Sequence, residues 1–148
     1  MSAPRTTLTA SEDETGALAA AFAAALPRSA VVLLIGDLGA GKTAFVRGMA
    51  AGLGIDPDEV SSPTFTLVQE YRGRGATLHH VDLYRLEGGE VGDLGLDELA
   101  AGGGVVAIEW AEKLPEPIPG AIEVAIADLG GDRREIRIGV MQNVEGRM

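Results

Sequence analysis

The chain of 148 residues contains no cysteine. That excludes a disulfide framework, thiol catalysis and a zinc site built on thiolates, and it suits a reducing compartment. Lysine is almost as scarce, standing only at Lys42 and Lys113, and 12 Lys and Arg against 22 Asp and Glu leave a formal charge of -10. Gripping a phosphate backbone unaided requires clustered cations, so a chain this acidic is expected to reach any nucleic acid through a partner. Long apolar runs are missing too. Ala30 to Ile35, like the alanine-rich Ala17 to Leu26, is far too short to span a bilayer, and the N-terminal stretch "MSAPRTTLTASEDET" has no apolar segment of the kind a secretory signal needs. These absences predict a soluble cytoplasmic protein without a membrane segment, and the length suits one domain with a full core.

What is present reads as alternating helices and strands. Ser11 followed by Glu14 is a capping-box pattern, and Leu18, Phe22, Ala25 and Leu26 then recur at helical spacing until Pro27, predicting a helix over Glu12 to Leu26. Ala30 to Ile35 is continuously apolar, as expected of a strand covered on both faces in a parallel sheet. Thr43 to Gly52 reads as a helix stopped by glycine. After a loop at Ser61-Ser62-Pro63, alternation from Phe65 to Glu70 predicts a strand. A turn over Arg72 to Gly75 and a return over Ala76 to Asp82 complete a hairpin. "GLDELAAGG" gives a short helix, "GVVAIEW" a second apolar strand ending on Glu109, and Ala121 to Leu129 with Glu135 to Val140 a closing hairpin around "GGDRR". The expected fold is α/β, a P-loop NTPase-like mixed sheet flanked by helices in a single domain, with a core over about 8–140 and a frayed tail over 141–148.

The octet "GDLGAGKT" supplies Gly36, Gly41, Lys42 and Thr43 in the spacing GxxxxGK[ST], directly after an apolar strand and at the start of a helix. Glycine lets the loop wrap so that backbone N–H groups face phosphate, and the helix adds the positive end of its dipole. Lys42 then reaches the β- and γ-phosphates and the Thr43 hydroxyl binds Mg²⁺. Hydrolysis asks for more, a carboxylate near the metal and a group that positions water. Glu109 and Asp82 both end strands, and Glu109, closing the run Val105 to Ile108, is the stronger candidate beside the P-loop strand. Thr64, in "SSPTF", stands where small P-loop enzymes keep a switch that senses the γ-phosphate. His79 and His80 are adjacent on a strand, so they point to opposite faces and cannot form a two-histidine metal site; one is expected in the core and the other exposed. Trp110 either packs near the nucleotide or fills core. No NKxD-type segment is present to hold guanine, which favours ATP over GTP.

"GDLGAGKTAFVRG", "SSPTFTLV", "HHVDLYRL", "LGLDEL" and "IEWAEKL", in this order and at these separations, resemble the TsaE (YjeE) family, small P-loop ATPases of bacterial tRNA threonylcarbamoyladenosine biosynthesis. The resemblance runs from Ser11 to about Val140. It implies an ATPase that acts on a TsaD and TsaB pair, the subunits that transfer threonylcarbamoyl to the adenosine next to the anticodon. ATP hydrolysis would reset that complex, and tRNA would be met only through it. The resemblance further implies phosphate contacts along Gly36, Asp37, Leu38, Gly39, Ala40, Gly41, Lys42, Thr43 and Ala44, with Mg²⁺ on Thr43 and Glu109. It makes Thr64 a switch and Asp82 a carboxylate that touches the metal or stands one step removed from it. It places Trp110 near the nucleotide, Thr15 and Arg134 in contact with ATP, and Tyr84 and Arg85 on a surface that faces the partners.

Two other readings are compatible with a bare P-loop. A small kinase phosphorylating a metabolite would need a lid with arginines and a substrate pocket, where only "LPEPIP" and a hairpin follow Glu109. A regulatory module that binds ATP without turnover would have no use for Glu109 and Asp82.

Overall fold

The structure, a computed structural model, describes residues 5–36, 41–60, 68–84, 86, 95–116 and 118–140. In chain order these form β1 (Arg5–Thr9), α1 (Glu12–Ala24), β2 (Ser29–Ile35), α2 (Lys42–Gly52), β3 (Val68–Arg72), β4 (Thr77–Asp82), α3 (Leu96–Ala101), β5 (Gly104–Glu109), β6 (Ile122–Gly130) and β7 (Arg133–Val140). Short 3-10 turns lie at Pro57–Glu59 and Ala111–Lys113.

The strands make one mixed seven-stranded sheet in the order β1-β7-β6-β2-β5-β4-β3. The P-loop strand β2 sits at its centre, parallel to both β5 and β6, and β4 is parallel to β5. β1, β7, β6 and β3 join through antiparallel pairs. Because side chains alternate along a strand, the continuous apolar runs of β2 and β5 feed two cores. Val32, Leu34, Val105 and Ala107 pack under α1 and α2 with Phe45, Val46 and Met49, while Leu33, Val106 and Ile108 face the opposite side, where Leu96 and Leu99 of α3 cover them.

The two helices on the first face fit closely because their meeting points are small. A Cβ on Gly48 would stand 2.6 Å from the Gly16 carbonyl oxygen and 2.7 Å from the Ala19 Cβ. α1 starts as its sequence predicts. The Ser11 hydroxyl accepts from Glu14 N at 3.1 Å, and the Glu14 carboxylate accepts from Ala10 N at 2.8 Å, one residue ahead of the cap. Glu12, Asp13 and Glu14 in the first turn suit the helix dipole.

Three differences from the expected elements stand out. β1 is an added strand: Arg5 to Thr9 carries no apolar alternation, and only its antiparallel pairing with β7, which sets Arg5 opposite Ile138, makes it one. Arg72 belongs to β3, opposite Thr77, so the turn closes over the following residues with Gly73 N donating to Ala76 O at 2.8 Å. His79 is half-buried rather than exposed, because α3's side of the sheet is covered as well. The stretch 61–67 and the tail 141–148 lie outside the described residues. Among the described residues no helix is long and apolar enough to cross a membrane.

Candidate nucleotide-binding site

β2 delivers the chain to Gly36 at the carboxyl edge of the sheet, and α2 begins at Lys42. Asp37, Leu38, Gly39 and Ala40 lie outside the described residues, as do Thr64 and Arg85. Gly41 is the N-cap of α2 at φ 103°, a left-handed conformation that costs glycine nothing and would strain any residue with a Cβ. Gly41 brings no side chain of its own to cap this helix end, and the positive end of the helix dipole lies here.

Lys42 is 5% exposed although charged. Its ammonium donates to the Gly36 carbonyl oxygen and lies 3.9 Å from the centre of the Trp110 ring, a cation–π contact that offsets part of its desolvation. Gly36 and the lysine are thereby held together at the strand end. Trp110 reaches this place through a backbone that only it adopts among the described non-glycine residues, φ 61° and ψ 41°. Such a conformation costs about 1–3 kcal/mol and persists only where neighbours enforce it. Here the Tyr84 ring packs at 4.9 Å and the Trp110 carbonyl accepts from Lys113 N at 3.0 Å. Lys113 Nζ in turn donates to the carbonyls of Tyr84 at 2.7 Å and Leu86 at 2.9 Å, tying the segment after β4 to the segment after β5.

The sharp turn at Trp110 leaves Glu109 as the last residue of β5, with its side chain on the α2 side of the sheet. Glu109 is buried, 3% exposed, and does not face solvent at the strand end. Thr43 Oγ1 donates to Glu109 Oε2 at 2.9 Å, and His80 Nε2 lies 2.5 Å from the same oxygen. Asp82 is the register partner of Glu109 across the parallel β4–β5 pair, and its Oδ1 accepts from Tyr84 N at 2.9 Å. Hence Lys42, Thr43, Asp82, Glu109 and Trp110 come to one edge. Among the described residues no group of three His, Cys, Asp or Glu side chains is placed to hold a metal.

A cleft beside the start of α2 is lined by Glu12 and Thr15 of α1, Gly41 and Ala44, and Asp132 and Arg134 of the closing hairpin. Thr15 is 3% exposed and shares a hydrogen bond of 2.6 Å with the Thr9 hydroxyl, which joins β1 to this wall. Arg134 Nη1 donates to Asp128 Oδ1 at 3.2 Å and to the carbonyls of Gly131 and Arg133, each at 2.8 Å. Thr15 and Arg134, far apart in sequence, therefore flank the same space as Gly41 and Ala44.

The sequence profile of the family described as "Threonylcarbamoyl adenosine biosynthesis protein TsaE" matches residues 9–136. The chain belongs to the TsaE family. It is 44% identical over 136 residues to the tRNA threonylcarbamoyladenosine biosynthesis protein TsaE of Bacillus subtilis strain 168, covering 91% of this chain and 85% of that one. It is also 44% identical over 115 residues to the protein of the same name from Treponema pallidum strain Nichols, covering 76% of this chain and 84% of the relative. A crystal structure of Bacillus subtilis YdiB superposes with a TM-score of 0.78 at 36% identity, covering all of this chain and 92% of that one. TsaE membership and the P-loop fold thus agree with the octet and with the mixed sheet around it.

Two members of this TsaE site do not stand out in the sequence. His80 was placeable only as one of a facing-apart pair, although its parity with Asp82 puts both on one face of β4, and the parallel register sets them beside Ala107 and Glu109. Glu112, whose Oε2 is 3.4 Å from Gly36 N, carries no signal in the sequence. Tyr84 is 47% exposed and packs beside Trp110.

Proposed function

We propose that this chain binds and hydrolyses Mg²⁺–ATP and uses that hydrolysis to support turnover of a TsaD–TsaB complex in tRNA threonylcarbamoyladenosine biosynthesis. The observation that carries the nucleotide reading is the bond from Thr43 Oγ1 to Glu109 Oε2 at 2.9 Å. A threonine that gives its only hydroxyl proton to a carboxylate keeps its lone pairs for a cation, and two hard oxygens side by side suit Mg²⁺. Magnesium is held by few protein oxygens together with phosphates and water, so a site without an all-protein cage fits it.

Bound there, Mg²⁺ would neutralise charge on the β- and γ-phosphate oxygens. The chain's own groups do the rest. N–H groups at the start of α2 and the Lys42 ammonium receive the phosphates, and Lys42 exchanges its Gly36 carbonyl for them. Glu109 fixes Thr43 from within the sheet, and Asp82 at the neighbouring strand end is the second carboxylate available to metal or water. The cleft of Thr15, Ala44 and Arg134 receives the nucleoside side of ATP. Thr64 is the proposed γ-phosphate switch. Trp110 and Tyr84 form an aromatic wall that ends at the surface, where Tyr84 with Arg85 would meet the partners. A net charge of -10 leaves tRNA to those partners.

The test is steady-state phosphate release from ATP and Mg²⁺, by the chain alone and with TsaD, TsaB and tRNA added, with Lys42→Ala as control. Release that rises with the partners and vanishes in the variant supports the reading. Release indifferent to the partners, with phosphate appearing on a small molecule, would instead identify a kinase.

A further inference from the structure

His80 is the most deeply buried ionisable side chain at this edge, with 0% exposure. Its neighbours on β4, Leu78 and Val81, are wholly buried as well. A polar ring does not enter such surroundings for packing alone, since an apolar residue of similar size avoids the desolvation cost. What it gains is one contact, Nε2 to Glu109 Oε2 at 2.5 Å. Nδ1 has no partner among the described residues.

We infer that His80 is a positioning residue for Glu109: it pins the carboxylate from the sheet side so that Thr43 and the metal edge meet a fixed oxygen. As a positioning donor the ring presents Nε2–H to Oε2, and this is the tautomer that the inference assigns. Two donors then converge on Oε2 from opposite elements, Thr43 from α2 and His80 from β4. Neither uses Oε1. Thr43 alone could not hold the carboxylate in register, because its hydroxyl turns about a single bond and is also the group that meets the cation. His80 cannot turn in the same way, because its ring is enclosed. Partners of this outer kind orient the groups that do touch a metal, and their loss commonly costs about 10–100-fold in metal affinity or activity.

This inference rests on the reading of Glu109 as the carboxylate of the metal edge. It is tested by calorimetric titration of ADP into the chain with Mg²⁺ and with EDTA, the ratio of the two affinities being the readout. His80→Phe fills the volume without a donor, and His80→Gln returns an N–H near the Nε2 position. The ratio is expected to fall about tenfold in His80→Phe and to recover largely in His80→Gln, with the EDTA affinity unchanged in both. A wild-type ratio in His80→Phe, while Glu109→Gln loses it, would overturn the inference and spare the reading of Glu109. A wild-type ratio in Glu109→Gln would overturn that reading, and the inference with it. Should His80→Phe not fold, the native chain decides: long-range ¹H–¹⁵N spectra of ¹⁵N-histidine must show the proton on Nε2, with and without Mg²⁺–ADP. A ring protonated on Nδ1 alone would overturn the inference.

Discussion

Thr43 at the start of α2 and Glu109 at the end of β5 share a hydrogen bond of 2.9 Å across 66 residues of sequence. The bond links α2 to β5, so the position of either group depends on the other. Loss of one partner is therefore expected to affect both metal binding and turnover.

Glu109→Gln keeps the size of the side chain and removes its charge. ATP affinity in EDTA should stay within about threefold of wild type, while turnover should fall by at least about 10–100-fold. Isothermal titration and phosphate release measure the two separately. Unchanged turnover would remove Glu109 from the site.

Thr43→Ala removes the oxygen proposed to meet the metal and leaves Gly41, the N-cap of α2, unchanged. The gain in nucleotide affinity on adding Mg²⁺ should drop about tenfold or more, and Thr43→Ser should restore it. Chelation of Mg²⁺ from the native chain should abolish phosphate release.

Arg134→Ala acts at the other side of the cleft and should separate from these. Losing a charged hydrogen-bond donor costs about 1.5–3 kcal/mol, or roughly 10–100-fold in ATP affinity. The Mg²⁺ dependence should be unaltered. Equal affinity in the variant would place the nucleoside elsewhere than beside Thr15 and Ala44.

Gly48→Ala tests how the site is held by packing. Alanine is the better helix former, yet its Cβ would press on the Gly16 carbonyl oxygen at 2.6 Å, so α2 must move away from α1. Overpacking of this kind costs about 2 kcal/mol, which lowers Tm by roughly 4–8 °C in a chain this long. Thermal melts read the change. A Tm equal to or above that of wild type would show that the helices meet less closely.

The parts of the fold that could be read in advance have local causes. Apolar runs announced β2 and β5, the Ser11–Glu14 pattern announced α1, and the glycine-rich octet ending on Lys42 and Thr43 announced the passage from β2 into α2. β1 could not be read in this way: Arg5 to Thr9 is a mostly exposed edge, with Leu8 67% exposed, and becomes a strand only by pairing with β7. His79 and His80 show the same limit. Period two separates their faces, but which face is which, and that His80 would meet Glu109, depends on β4 lying parallel to β5.

Neighbouring residues alone were enough to specify the α/β class, the passage from β2 into α2 and the carboxylate at the end of the apolar strand β5, because each is written locally. Folding in three dimensions was needed to bury Glu109 between Thr43 and His80, to turn Trp110 left-handed over Lys42, and to bring Thr15 and Arg134 to one cleft. Those contacts join groups from different elements, and strand order and register, which no local pattern specifies, bring them within hydrogen-bond reach.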